Sequence, residues 1–197
     1  FSIMLLEFSL AEMFARGFDS FSSLVRSGEF DRILVRPQNE ILQVLGSRFE
    51  LTRAGRLLQA VVMFVYGILE SEIAWDPLKI LTVIFMLIGG IAVFTGLFMI
   101  YAGLCFFTLD GLEFMNIFTD GAREFGKYPM GVYGKKILLF SIFIVPYAWI
   151  QYYPFLYLLG QRDSVWFVVL PLGACWFLIP AWLLWRTGVK RYQSSGS

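Results

Sequence analysis

The segment Gly121-Ala-Arg-Glu-Phe-Gly-Lys127-Tyr128 comes nearest to a chemistry-bearing motif in this chain. Two glycines five positions apart, followed by lysine, have the spacing of a loop that wraps nucleotide phosphates in backbone N–H groups. The next position must be Ser or Thr to hold magnesium, and Tyr128 stands there. No buried-strand pattern precedes Gly121 and no soluble domain follows it, so nucleotide binding by this chain is rejected. Other chemistry is scarcer still. The sequence has no histidine, and its two cysteines, Cys105 and Cys175, lie within uncharged runs. Neither a metal cluster nor a disulfide framework is supported, and both thiols are expected to be buried as small apolar groups. An intramembrane enzyme would need a nucleophile with its base, or metal ligands, at membrane depth. The central apolar runs offer neither. A secondary transporter would bury ionisable groups near the midplane, and the last three runs offer none. No catalytic, cofactor-binding or metal-binding residue is assigned.

The elements around these residues are apolar. Of 197 residues 58% are hydrophobic, only 16% are charged and 21 are phenylalanine; the mean hydropathy is +0.68. A bilayer is the expected solvent, and the fold class is an all-α polytopic membrane protein. A net charge of +1 gives no field that would draw nucleic acid. About 20 apolar residues cross a hydrocarbon core of about 30 Å, and five runs approach that length. The first, Phe1 to Phe18, is interrupted by Glu7 and Glu12; Glu12 can pair with Arg16, and Arg16 with Asp19. The second runs from Leu57 to about Trp75, with Arg53 and Arg56 placed to snorkel at one end and Glu70 and Glu72 marking the other. The third, Ile80 to Phe107, has 28 residues without a charge. At helical rise that is about 42 Å, so it must tilt or project. The fourth, Ile137 to Gly160, contains Pro146 and Pro154 and is expected to be broken or re-entrant. The fifth, Val165 to Trp185, carries Trp166 near one end and Trp182 and Trp185 near the other, as an interfacial aromatic belt would. The chain opens at Phe1 inside an apolar run, without a signal-peptide pattern, and is read as lacking its natural N-terminus.

Alternating these spans places residues 16–56, 108–136 and 186–197 on one side, with 7, 4 and 3 basic residues. The other side receives only Lys79 and Arg162. Basic residues stay cytoplasmic, so the 16–56 segment and the C-terminus are expected there. Within that segment, apolar positions Ile33, Leu34, Val35, Ile41, Leu42, Val44 and Leu45 are flanked by charges of both signs, with Asn39 as an N-cap for the second half. A lipid-seeking surface helix would be basic on its polar face, whereas the mixture of Glu29, Asp31 and Glu40 with Arg26, Arg32 and Arg36 suits a protein partner. Inside the third span Gly89, Gly96 and Gly103 recur every seven residues, with Ala92 nearby. That face is expected to pack closely against another span or a second subunit, a cargo groove being the less favoured alternative.

Four stretches carry a resemblance that runs nearly the length of the chain. They are LVRSGEFDRILVRPQNEILQVLGSRF (24–49), REFGKYPMGVYGKK (123–136), IVPYAWIQYYPFLYLLG (144–160) and the terminal GVKRYQSSGS. In this order they resemble the ABC-2 family transporter proteins, a subgroup of ABC-2-type permeases. The resemblance implies an ABC-2 (type V) exporter-like transmembrane domain covering 1–197. Five of six expected spans would be present, with a re-entrant element before the last. It implies a dimer with a second permease subunit, identical or related, in contact with membrane lipid. Two copies of a separate ABC ATPase would hold ATP and magnesium, this chain holding none. The location implied is a multi-pass position in a bacterial inner or plasma membrane. The cytoplasmic segment 26–56 would contain a coupling helix, with Gly28, Glu29, Phe30, Asp31, Arg32, Leu34, Arg36 and Pro37 as its ATPase contacts. The segment 108–136 would form a second elbow with Arg123, Glu124, Phe125, Tyr128 and Pro129, for which a plain interfacial turn is the alternative. Within 146–164, Pro146, Gln151, Tyr152, Tyr153 and Pro154 would form an external gate. An ATP-independent channel or a structural membrane-assembly subunit is the alternative function.

Overall fold

The computed structural model describes residues 1–47, 54–108, 113–126, 128 and 130–193, and every regular element among them is helical. The organising element is helix α6, Pro77–Cys105, 29 residues long. It starts sharply because the Asp76 carboxylate accepts the Lys79 N–H at 2.7 Å and Pro77 occupies the first turn. It then runs apolar on every side, as a helix packed among others within a membrane does. Helix α1, Ser2–Asp19, lies along one flank of α6. Phe8 of α1 meets Phe94 and Phe98 of α6 edge-on or tilted, with ring centroids 5.4 and 6.2 Å apart.

Between them the chain forms an elbow of three short helices: α2, Phe21–Arg26; α3, Glu29–Val35; and α4, Glu40–Ser47. Gly28 joins α2 to α3 at φ 69°, a left-handed turn that an L side chain would strain. Arg36 is extended (ψ 140°) ahead of Pro37, which ends α3. Asn39 starts α4, its Oδ1 accepting the Ile41 N–H at 2.9 Å. Helix α4 crosses α1 at Gly17, where an added Cβ would sit 1.7 Å from the Val44 carbonyl oxygen. The two backbones touch there directly.

Helix α5, Ala54–Leu69, has 16 residues and ends earlier than the apolar run to Trp75 suggests. Glu70, Ser71 and Glu72 stop it, and the 71–76 stretch, without regular structure, leads into the Asp76 cap. Arg56 does not snorkel to solvent. It reaches across to Glu12 of α1, Nη1 to Oε2 at 2.6 Å, and Glu12 also pairs with Arg16 at 3.6 Å. Arg53 lies outside the described residues.

After α6, helix α7 spans Asn116–Phe125 and helix α8 spans Gly134–Phe143. The chain then bends by 97° before a π-helical turn, Ala148–Tyr152, and helix α9, Tyr153–Leu158. Pro146 supplies the break by withholding an N–H. The last apolar stretch runs from Trp166 to Arg191 as α10 (Trp166–Gly173), a 3-10 turn (Ala174–Phe177) and α11 (Leu178–Arg191). Pro171 inside α10 precedes the tightened turn. By length and composition α6 and the Trp166–Arg191 stretch can each cross a bilayer, and the bent α8–α9 pair makes a third candidate.

Candidate functional site

Two sites emerge, at different levels of α6. The first lies where the elbow meets the ends of α6 and α11. Phe30 of α3 is fully buried. Its ring stands edge-on to Phe21 at 4.9 Å, to Tyr192 at 5.2 Å and to Phe106 at 5.3 Å. Trp185 of α11, also fully buried, meets Phe18, Phe21 and Phe106 at 5.0 to 5.2 Å. Sequence reasoning set Phe30 among the contact residues; instead its ring points inward and ties the elbow to the end of the last helix. The helical period explains this, because Phe30 and Ile33 share the buried side of α3 while Glu29, Arg32, Leu34 and Arg36 face outward with Pro37. Gly28 and Asp31 are half-buried. Asp31 stands beside Tyr192, and burial, then the carboxylate, pushes that phenol up to about 12.

Glu29, Arg32 and Arg36 rim a groove of about 480 Å³ between α3 and α4, floored by Leu24 and Ile33 and closed on the α4 side by Leu42. Gln43 braces it, its Nε2 donating to the carbonyls of Ile33 at 3.2 Å and Gln38 at 3.0 Å. Charged flanks over an apolar floor can hold a protruding element of another protein.

The second site surrounds Gly89 and Gly90, in the middle turns of α6. A Cβ on Gly89 would lie 2.2 Å from the Pro171 carbonyl oxygen and 3.2 Å from Ile150 Cγ2. On the other side, a Cβ on Gly90 would lie 2.1 Å from Glu7 Cδ. Further along, Gly96 faces Phe177 and Gly103 faces Leu184, at 2.9 and 3.0 Å by the same measure. The glycine repeat thus receives the last helix of the same chain, and Ala92 is half-buried beside it. Glu7 is the residue that sequence reasoning passed over. It is fully buried and neither carboxyl oxygen has a hydrogen-bond partner. Its signal was present, a lone acid in an apolar run, but Glu12 and Arg16 drew the pairing argument instead.

The residues expected at an external gate divide. Pro146, Gln151 and Pro154 are buried, and Tyr152 and Tyr153 are half-buried with their rings 5.2 Å apart. The break itself leans on the middle of α6, where Tyr147 lies 6.1 Å from Phe94, ring to ring. The segment comes alongside the first turns of α6 at Phe155 and Leu158, in a cluster with Val83 and Ile3. In the second elbow Phe118 of α7 stacks on Phe140 of α8, and the Tyr147 hydroxyl donates to the Phe118 carbonyl. Gly121 to Phe125 are helical, so the near-motif is no phosphate loop. The side chains of Arg123, Glu124 and Phe125, and all of Pro129, lie outside the described residues; Tyr128 is exposed.

An all-helical chain with apolar helices of spanning length, built around a glycine-lined central helix, is a multi-pass membrane protein. Residues 1–196 match the model of the family described as ABC-2 family transporter protein, and the chain belongs to that family. It is a membrane component of an ATP-binding cassette transporter, a permease and not itself the catalytic part. No curated protein and no solved structure matches the chain.

Proposed function

We propose that this permease is an exporter subunit that receives the work of a separate ATPase through the α2–α3–α4 elbow. The observation that carries the reading is the division of α3, with Phe30 locked into the aromatic junction and Glu29, Arg32, Leu34, Arg36 and Pro37 turned outward. A partner that grips the outward side would move Phe30, and Phe30 would move the ends of α6 and α11 as rigid bodies. Basic-residue asymmetry supports a cytoplasmic elbow and C-terminus in a cell membrane. On this reading α1, α5, α6, the bent α8–α9 pair and α10–α11 are the five spans. A second permease and lipid would cover the exposed side of α5, which fully buries only Ala60. Pro146 to Pro154 would act as a gating element by changing the bend at mid-depth, and Arg123 to Pro129 would add a lesser ATPase contact. The test is an Arg32→Glu, Arg36→Glu double variant, purified from cells that also make the partner ATPase. Loss of ATPase co-purification with an unchanged unfolding temperature is expected, and retained binding with unchanged ATPase stimulation would overturn the proposal.

A further inference from the structure

We propose that Glu7 is a proton-binding site at the centre of the membrane, occupied while α1 lies on α6 and open to release when the two helices part. The location follows from the register of α6. Gly90 is the fourteenth of its 29 residues, so Glu7 faces the middle of the longest apolar span. Glu7 is fully buried, and both of its carboxyl oxygens are without a hydrogen-bond partner. An ionised carboxylate in that position would have no hydrogen-bond donor among the described residues and only the Phe1 amino group as a counter-charge, and a proton is the smallest ligand that removes the charge without needing space. Space is absent: Gly90 is opposed so closely that even a methyl group would overlap the carboxyl.

Among the described side chains, the charged groups around α1 lie elsewhere along it or are engaged. Helix α6 brings no ionisable side chain between Lys79 and Tyr101. Helix α5 brings Arg56, bound to Glu12. Helix α4 brings Glu40, α2 brings Arg26, and α7 carries Asp120, Arg123 and Glu124. Along α1 itself stand Glu12, Arg16 and Asp19 toward one end and the Phe1 amino group toward the other, the last about 9 Å of helical rise from Glu7. On the far flank of α6, Gln151 follows Ile150 and is uncharged, and its buried Oε1 also has no partner.

The inference rests on reading α6 as a membrane span and is independent of the coupling elbow. The full chain in lipid nanodiscs is titrated between about pH 5 and pH 9 under infrared spectroscopy, followed by amide hydrogen exchange. A carbonyl band of a protonated carboxylic acid is expected at neutral pH in the native chain and in Glu12→Gln, and its absence in Glu7→Gln. Exchange at the middle turns of α1 and α6, corrected for the intrinsic rate, is expected to rise several-fold on the alkaline side in the native chain and to stay level in Glu7→Gln. Glu7→Met serves as the neutral replacement if the amide is not tolerated. Absence of the band from the native chain, or an equal alkaline rise in the Glu7 variants, would overturn the proposal. Neither readout involves an ATPase, so failure here leaves the elbow reading standing, and failure of ATPase binding leaves this one standing.

Discussion

The junction around Phe30 and Trp185 and the crossing around Gly90 are both fully buried contacts on α6, yet they are made of opposite materials. At the junction, six aromatic rings from α1, α2, α3, α11 and the residues that follow α6 and α11 meet edge to face at 4.9 to 6.1 Å. Such geometry holds each ring in place from several sides. At the crossing, a carboxyl without a partner is laid against a bare backbone. The first contact gains its full strength only when closed. The second holds a polar group that water would satisfy better. The contrast separates a part suited to transmitting displacement from a part suited to opening.

The widest gap between the two should appear on deleting a ring. Trp185→Ala removes the centre of the junction and should cost about 3–5 kcal/mol, read as a lower unfolding temperature of the detergent-solubilised chain. Phe30→Ala should fall in the same range and also loosen α3, seen as faster amide exchange from Glu29 to Val35. At the crossing, Gly90→Ala should cost about 1–3 kcal/mol through overpacking. Combining it with Glu7→Ala should recover most of that loss, because the obstructing carboxyl is gone; an additive double variant would show that the two residues do not meet. The smallest effect is confined to the rim of the junction. Tyr192 should titrate near 12 by phenolate absorbance, above the usual value of 10.0, with burial the larger cause and Asp31 the smaller. The neutral phenol is the form the fold prefers, so its contribution is complete below about pH 10 and is lost as the pH rises through about 12. Asp31→Asn should bring the midpoint partway down.

Much of the local structure was legible in the residues themselves. The uncharged run to Phe107 marks α6, Asn39 marks the start of α4, and Pro146 marks the bend, because each is dictated by neighbours within a few positions. The outer bound of the second run, about Trp75, lies beyond the helix end at Leu69, which falls directly before the acids that mark that end of the run. The pair of acids at Glu70 and Glu72 and the demands of the Asp76 cap take that stretch out of the helix. The candidate sites were legible in proportion to how local they are. Arg36 and Pro37 could be placed outward from the break they form. The inward turn of Phe30 depends on rings 76 to 162 positions away along the chain, at Phe106, Trp185 and Tyr192. Glu7 is marked in the sequence as a lone acid in an apolar run, but its partner in the fold is not, because its setting is made by Gly90 and nothing in the intervening sequence joins them.

The meeting of Gly17 with the Val44 carbonyl has a mechanical corollary. Where main chain bears on main chain, no flexible group is interposed to absorb a push, and the contact works as a fulcrum with no play. A tilt of α4 of even a fraction of an ångström at this point must be answered by α1, and lengthening residue 17 by a single carbon would jack the lever off its pivot.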